Sequence, residues 1–283
     1  SYLFQGILGL DGTLIDINDK ALLECGYTRE AELGKKFWHT SWWSPDPVLA
    51  DYMHEITEIA RQGEVIHITT DYFVASGARR KTEFVLTPIR DTENQVVFLH
   101  ASGQDITDRL VAAAELASSN RALRLLSLCN ALLVRTKTEP ELLQQLCELF
   151  VKVGGYEMAW VGYAHDDANK SIQPMAHFGN FSHLENAQPS WADDSVLGRG
   201  PAGRAVRTGK PVLISDIMLD LDFAPWVEAA SRNGYKGVAC LPLMQENCCF
   251  GVIAMYTRVV SKVAANEIKL LQELADNLSF GIV

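Results

Sequence analysis

The sequence predicts an α+β protein of two domains, each an antiparallel β-sheet with flanking helices, joined by a long helix. Three observations predict this fold class. The 283 residues suffice for roughly two domains, short β-runs surround helical segments in both halves, and a stretch without Gly or Pro, 110–138, separates the halves. The expected boundaries are 1–108 for the first domain, 109–123 for a helical linker and 124–283 for the second domain.

The first domain is predicted to begin with a β-hairpin, because the turn pair Asp11-Gly12 precedes the run Leu14–Ile17. Asn18 and Thr28 are predicted to cap two short helices, since their side chains accept the free N–H groups at a helix start. The other predicted elements are a helix over 48–62, with a buried stripe at Leu49, Met53, Ile56 and Ile59/Ala60, and strands over 65–74, 81–88 and 96–102. This order indicates an antiparallel sheet with helices on one face.

The linker helix is predicted to begin at Thr107, a favourable N-cap residue. Alternating three- and four-residue spacings connect positions 111, 114, 118, 121, 125, 128 and 132, and the later positions are strongly apolar. This pattern is typical of a weak coiled-coil seam and motivates a homodimer through the linker helix. The alternative is a plain helix that packs on its own domain.

The second domain is predicted to begin with a helix, because Thr138-Glu139-Pro140-Glu141 forms a capping box and Gly154-Gly155 ends the apolar pattern. The other predicted elements are strands over 158–164, 171–178, 211–217, 237–244 and 249–257 and helices over 202–207 and 225–232. A last helix runs to Val283 without a stop signal. We therefore expect the chain to be a fragment of a longer protein.

Composition excludes several classes of protein. Lys and Arg number 25 against 35 Asp and Glu, for a net charge of −10, so nucleic acid is not an expected partner. No apolar run approaches the roughly 18–20 residues of a membrane span, and the amino end lacks the pattern of a signal peptide. The six cysteines form no C-x-x-C pair and suggest no metal site. We expect a reduced, cytoplasmic protein.

Short motifs connect each half to a known family of sensor domains. Those of the first half are Asp11-Gly12-x-Leu14, Asn18, Tyr27-Thr28-Arg29-Glu30 with Gly34, Phe84–Pro88, Arg90-Asp91 and Asp105-Ile106-Thr107-Asp108-Arg109. Those of the second are Gly203-Arg204-Ala205, Arg207–Val212, Phe223-Ala224-Pro225-Trp226, Gly234-Tyr235 and Leu241-Pro242-Leu243. On these residues the first half resembles a PAS domain, and the second resembles a GAF domain of bacterial multidomain signalling proteins.

The resemblance implies a sensory input module whose two pockets each bind a small ligand or sense redox state. It also implies that the joining helix passes the signal to an output domain outside this fragment, such as a histidine kinase or a cyclic-di-GMP enzyme of a bacterial signalling pathway. Asp105, Thr107 and Arg109 are the expected relay residues. No catalytic triad, metal pair or carboxylate dyad can be placed by spacing, so we expect no enzymatic activity of the fragment itself.

Two aromatic clusters are candidate ligand-binding sites, because small-molecule pockets combine apolar walls with a few polar groups. The candidates in the first domain are Phe37, Trp38 and Trp42, beside Trp43; those in the second are Asp216, Phe223, Trp226 and Tyr235. Plain core packing is the alternative for both clusters. The run Gly198–Gly203 fits G-x-G-x-x-G, but no strand precedes it, so a loop beside a ligand pocket is expected rather than a dinucleotide site.

Two further functions remain as alternatives. Cys240, Cys248 and Cys249 form a possible redox set in which Cys240 and Cys249 approach each other across a hairpin, and some GAF-like enzymes reduce free methionine sulfoxide with cysteines; inert core thiols are the alternative. A chromophore-binding photoreceptor is the other. The flavin motif G-x-N-C-R-F is missing, Asp216-Ile217-Met218 replaces the Asp-Ile-Pro of bilin pockets, and haem would need an axial ligand such as His39 or His54. No cofactor is therefore supported.

Overall fold

The computed structural model describes residues 3–180, 182, 189–260 and 265–282. The chain divides into two compact units, 1–113 and 114–283, and the division falls within the stretch predicted to link the domains. Each unit contains a five-stranded sheet in which every pair of neighbouring strands is antiparallel. The predicted α+β fold class is confirmed.

The first unit has its sheet in the strand order β2-β1-β5-β4-β3. Its elements are β1 (Phe4–Leu8), β2 (Leu14–Ile17), α1 (Asp19–Cys25), α2 (Arg29–Glu32), a 3-10 turn (Phe37–His39), α3 (Pro47–Arg61), β3 (Ile66–Phe73), β4 (Arg79–Arg90) and β5 (Val96–Asp105). Along β4, the buried residues Thr82, Phe84 and Leu86 alternate with more exposed ones. Because strand side chains alternate between faces, this pattern identifies the face that the helices cover.

The helices of the first unit confirm some of the predicted capping and burial patterns and not others. Asn18 caps α1 as predicted, because its side chain accepts the Ala21 N–H at 3.2 Å. Of the predicted stripe of α3, Leu49, Met53, Ile56 and Ala60 are buried, whereas Ile59 is 37% exposed beside this face. Thr28 occupies the N-cap of α2, but within the described residues its side chain makes no capping hydrogen bond.

Helix α4 (Thr107–Arg135) is continuous through the boundary between the two units. The prediction that Thr107 caps it through its own hydroxyl is wrong. The Asp105 carboxylate accepts the Thr107 N–H at 2.7 Å, and the Thr107 hydroxyl accepts the Lys81 N–H of β4 at 2.8 Å. A hydroxyl that faces the sheet is not available to the free N–H groups of its own helix.

The buried face of α4 differs from the predicted dimer seam. Ser118, Ala122, Leu125 and Cys129 are its buried residues, and Leu125 and Cys129 pack into the core of the second unit. Seam positions 118 and 125 therefore face their own domain, as the alternative of a plain packed helix requires. Residues 108–117, by contrast, are exposed on every side of the helix.

The second unit has its sheet in the strand order β7-β6-β10-β9-β8. Its elements are α5 (Glu139–Lys152), β6 (Met158–Ala164), β7 (Ile172–Gly179), α6 (Pro201–Thr208), β8 (Val212–Ile214), α7 (Ala224–Arg232), β9 (Gly237–Gln245), β10 (Cys248–Thr257) and α8 (Ala265–Ile282). Strand β8 is shorter than predicted, because the Asp216 carboxylate accepts the Met218 N–H and turns the chain. Thr138 occupies the N-cap of α5 without a side-chain capping bond among the described residues.

Helices cover both faces of the second sheet. Residues such as Val161 and Leu241 pack with α4, α5 and α8 on one face, while Trp160 and Cys240 belong to a second core with α6 and α7 on the other. This two-sided burial explains why the strand sequences are apolar without alternation. In the described part of the chain, no helix combines the length and the apolar character needed to cross a membrane.

Candidate functional site

The first unit contains a cavity of about 50 Å³ between its sheet and its helices. Six aromatic residues contribute to its walls: Phe4, Phe37, Trp42, Trp43, Tyr72 and Phe84. Of the predicted ligand-binding residues, Phe37 and Trp42 therefore reach this cavity. Trp38 lies elsewhere: its ring packs 4.1 Å from that of His54, and it sits so close to Gly12 that a Cβ there would lie 2.3 Å away.

Ring-to-ring contacts hold the cavity walls in place. Phe37 stacks on Phe84 with ring centroids 5.7 Å apart and meets Trp43 edge-on at 5.5 Å. Tyr27 meets Trp42 edge-on at 5.3 Å, and its hydroxyl donates to the Ser41 carbonyl at 3.1 Å. Aromatic pairs in these geometries contribute attraction beyond their buried area, so the walls are preorganised rather than loose.

The sequence analysis placed Trp43 only beside the candidate ligand-binding residues and did not identify Tyr72 or Phe84. Tyr72 and Phe84 lie on neighbouring strands, where each is buried next to more exposed residues. That alternation was a usable signal for the inward-facing positions. The position of Trp43 depends on how the segment between α2 and α3 folds, which no local pattern indicates.

A network of hydrogen bonds connects the cavity wall to the start of α4. The Tyr72 hydroxyl donates to Asp105 Oδ2 at 2.9 Å, and Arg80 Nη1 donates to the same oxygen at 2.8 Å. The other oxygen, Oδ1, accepts the Thr107 N–H at 2.7 Å. A single carboxylate thus joins a side chain that borders the cavity to the first turn of α4.

The ionisation of this network is fixed by its contacts. Burial alone would raise the pKa of Asp105, but the hydrogen bonds from Thr107, Arg80 and Tyr72 outweigh it, and the pKa lies below its ordinary value. Burial, followed by the bond to Asp105, raises the pKa of Tyr72. At neutral pH the carboxylate is therefore charged and the phenol is a hydrogen-bond donor.

Arg109, the third predicted relay residue, makes a weaker contact. Its Nη2 lies 3.6 Å from Glu83 Oε2, and the other oxygen of Glu83 lies 3.3 Å from His67 Nε2. All three side chains are substantially exposed. Exposed ion pairs contribute little to stability, so Arg109 adds little to the attachment of α4. Asp105 and the bonds of Ile106 and Thr107 to Lys81 hold the start of the helix.

The predicted pocket of the second unit is nearly filled. A cavity of only about 20 Å³, space for one water molecule, lies beside Trp160, Phe223 and Trp226. Asp216 and Tyr235 lie away from this cavity: the Asp216 carboxylate accepts the Met218 N–H at 3.0 Å, and the Tyr235 hydroxyl donates to the Asn180 carbonyl at 2.7 Å. The four predicted residues therefore do not converge on one space.

The glycines of the Gly198–Gly203 run serve close packing. A Cβ at Gly200 would lie 2.5 Å from the Trp226 ring, and a Cβ at Gly203 would lie 2.2 Å from the Gly198 carbonyl oxygen. The loop thus borders the small cavity, as expected, and its glycines let the backbone approach the Trp226 ring.

The expected approach of Cys240 to Cys249 is wrong. In the hairpin register Cys240 lies opposite Ala254, whereas Cys249 lies opposite Met244. Burial raises the pKa of both Cys240 and Cys249, which disfavours the reactive thiolate. Cys248 is exposed at the hairpin tip, and all six cysteines are free thiols.

The described ranges contain no group of three or more His, Cys, Asp or Glu side chains that could hold a metal ion. The two histidines considered for haem both pack against Trp38: the ring centroids lie 6.0 Å apart for His39 and 4.1 Å apart for His54. Neither belongs to the walls of the first cavity.

Comparison with known families gives two matches in tandem. A family model described as a GAF domain matches residues 136–283, more than half of the chain, and one described as a PAS fold matches residues 5–111. The sensor histidine kinase TmoS of Ectopseudomonas mendocina is 36% identical over 124 residues, which cover 43% of this chain and 13% of that protein. The hybrid signal transduction histidine kinase D of Dictyostelium discoideum is 30% identical over 125 residues, covering 44% of this chain and 8% of that protein. The chain thus spans a small part of the length of either relative.

Solved structures of both kinds of domain are also similar to the chain. The A. aeolicus nlh2 GAF domain has 14% identity and a TM-score of 0.46, covering 58% of this chain and 97% of that one. A PAS domain from Colwellia psychrerythraea has 20% identity and a TM-score of 0.33, covering 38% and 89%. The chromophore-binding domain of a bacteriophytochrome from R. palustris has 14% identity and a TM-score of 0.42, covering 99% and 92%.

Proposed function

Because this chain belongs to the GAF domain family and carries a PAS fold ahead of its GAF domain, we propose that it is the sensory input region of a larger signalling protein. A small molecule in the PAS cavity is the proposed signal. The curated relatives are histidine kinases, which favours a kinase of a two-component pathway as the output over a cyclic-di-GMP enzyme. The six free thiols fit a reducing compartment, and we propose a cytoplasmic location.

The observation that carries this proposal is the bond from Tyr72 to Asp105. A ligand shifts a protein between two states only through different affinities for them. Tyr72 borders the cavity, so a ligand that moves its ring changes the hydrogen bond to Asp105 and, through it, the support of the Thr107 N–H. The start of α4 is the element whose equilibrium the ligand biases.

The second step of the proposed relay runs from α4 to α8 within the GAF unit. The Ser118 hydroxyl donates to the Glu267 carboxylate, and Asn277 Nδ2 donates to Asn130 Oδ1 at 3.2 Å. Farther along, a Cβ at Gly281 would lie 2.5 Å from Leu133. The contacts advance in the same direction on both helices, so α4 and α8 lie parallel, and a shift of α4 acts on the helix that ends this chain.

We propose that the exposed start of α4 pairs with the same segment of a second copy. Residues 110–117 are mostly apolar, and Val111 and Leu116 are 52% and 63% exposed. A helix that is apolar on all sides is typically buried, and two parallel copies bury each other's apolar faces. Of the predicted seam positions, Val111 and Ala114 lie in this exposed segment, whereas Ser118 and Leu125 face their own domain.

The relay is tested by filling the cavity without a ligand. Ala101 borders the cavity on β5, so Ala101→Val occupies part of it, and Ala60→Val, at an equally buried site on α3, is the control. In the full chain we expect hydrogen exchange of the amides at 107–117 to become roughly fivefold faster in Ala101→Val only, as for the loss of one hydrogen bond. In a Tyr72→Phe background, Ala101→Val should not accelerate exchange at 107–117 any further. If Ala101→Val accelerates exchange as much in that background as in wild type, the relay through Tyr72 is contradicted.

A further inference from the structure

The PAS cavity is suited to an uncharged and mainly apolar guest. Its walls consist of aromatic rings together with small aliphatic side chains such as Ala21 and Ala101. None of the described charged side chains borders it. A charged molecule would therefore lose its hydration without gaining a counter-charge, which is strongly unfavourable.

One polar atom of the cavity wall, the indole nitrogen of Trp43, lacks a hydrogen-bond partner among the described residues. Trp43 is only 4% exposed. Buried N–H groups in folded proteins are almost always paired, and an unpaired one is costly. Trp43 borders the cavity, which makes an acceptor atom of a bound molecule the candidate partner for this donor.

The other hydroxyl groups around the cavity are less available. The Tyr72 hydroxyl donates its proton to Asp105, and the Thr82 hydroxyl donates to the Gln104 carbonyl at 3.0 Å. Ser102, the third, is partly exposed on β5. Gln5, which also borders the cavity, is partly exposed as well. Among the described wall residues, Trp43 is the one with a fully buried and unpartnered side-chain donor. A water molecule needs two to four polar partners, so this single buried donor favours an organic acceptor over water.

We infer that the PAS cavity binds a small uncharged molecule, apolar except for one acceptor atom that receives the Trp43 indole N–H. A simple ketone, ether or nitrile has this chemistry. The size follows from comparison with an engineered cavity of about 150 Å³ that binds benzene; the 50 Å³ here holds only a few non-hydrogen atoms without expansion. This inference rests on the proposed function and adds the chemical class of the signal.

The test uses acetone and isobutene, which have the same shape and differ in the carbonyl oxygen. Both are titrated into the full chain and followed by NMR, and the affinity ratio of acetone to isobutene is compared between variants. We expect Trp43→Phe to lower this ratio by roughly fivefold, the effect of one lost hydrogen bond. Trp42→Phe is the matched control, because it enlarges the same cavity and leaves the Trp43 N–H in place; its ratio should stay within about twofold.

A second measurement follows the indole N–H resonance of Trp43 in the wild-type chain. Acetone should shift the indole N–H resonance of Trp43 downfield in the wild-type chain, whereas isobutene should not; the resonance is assigned by its absence from Trp43→Phe. Equal ratios in both Trp variants, with no acetone-specific shift, overturn the inference while the cavity remains a ligand site. Xenon occupies dry apolar cavities and serves as a third probe. If acetone, isobutene and xenon all fail to bind, the inference and the proposed ligand sensing both fail.

Discussion

Asp105 uses both carboxylate oxygens to hold groups from three parts of the PAS domain. Tyr72 comes from β3, Arg80 from β4 and the Thr107 N–H from the first turn of α4. Charge-assisted hydrogen bonds are stronger than neutral ones, and removal of the acceptor leaves its donors unpaired. Asp105 is therefore the side chain that joins the start of α4 to both β3 and β4.

We predict that Asp105→Asn lowers the free energy of unfolding of the PAS domain by about 1–3 kcal/mol. The amide keeps the shape of the carboxylate but loses its charge and one acceptor atom. Chemical denaturation of the full chain measures the effect. The control is Asp51→Asn on the exposed side of α3, which should change stability by at most about 0.5 kcal/mol. Equal effects of the two substitutions would contradict the prediction.

The same carboxylate predicts a pH dependence. The pKa of Asp105 is lowered in the folded state, so its contribution to stability is fully present above its ordinary value of 3.8 and is lost as the pH falls through the lowered pKa. The difference in unfolding free energy between wild type and Asp105→Asn should be constant near neutral pH and shrink below pH 3.8. Denaturation between neutral pH and pH 3 checks this, and a difference that grows on acidification would show the opposite sign of shift.

Helix α4 is the element that takes part in both units, and its two halves differ in environment. Residues 108–117 are exposed throughout, whereas Ser118, Leu125 and Cys129 are buried against the GAF unit. The second half is the part of α4 that packs parallel to α8. The first half is the segment that we propose pairs with a second copy of the chain.

A double-mutant cycle tests the contact between α4 and α8. Ser118→Ala and Glu267→Gln should each destabilise the GAF domain, and their effects should be non-additive by about 0.5–1.5 kcal/mol, because the Ser118 hydroxyl donates to the Glu267 carboxylate. The exposed pair Glu148 and Lys152 on α5 is the control, with an expected coupling of at most about 0.5 kcal/mol. Additive effects at 118 and 267 would remove this contact from the relay.

At the scale of the whole molecule, the cores of the two units are separate. Leu86 belongs to the core of the PAS unit and Leu241 to one core of the GAF unit, and both are completely buried. We predict that Leu86→Ala and Leu241→Ala each destabilise one unit by about 2–5 kcal/mol. Calorimetry of the full chain should show each substitution shifting a different part of the unfolding profile. A shift of the entire profile by either one would mean that the units unfold together.

The sequence supported the fold better than the site, for physical reasons. The α3 stripe and the Asn18 cap depend on neighbours within a few residues, and both are confirmed. The Thr107 hydroxyl instead bonds Lys81, 26 residues away, so no local signal shows that it is occupied. Cys240 fails for a different reason: the turn that pairs Gln245 with Cys248 places Met244 opposite Cys249, and Cys240 lies four residues farther from the turn than Met244.

The ligand site divides in the same way. Aromatic composition marked the segment that contains Phe37 and Trp42, but it does not reveal that Trp38 turns toward His54 while Trp43 turns toward the cavity. In the GAF unit, Phe223, Trp226 and Tyr235 are core residues, and Trp226 fills the space that Gly200 leaves open, while the half-buried Asp216 holds a turn. Which aromatic side chains leave a cavity depends on tertiary packing.

Hydrogen exchange across 267–282 measures whether the state of the PAS cavity reaches α8. We expect Ala101→Val to change exchange in α8 of the full chain, and we expect the addition of Ser118→Ala, which breaks the contact with Glu267, to remove this change. An α8 exchange profile that is the same in Ala101→Val as in wild type would show that the cavity and α8 are not coupled.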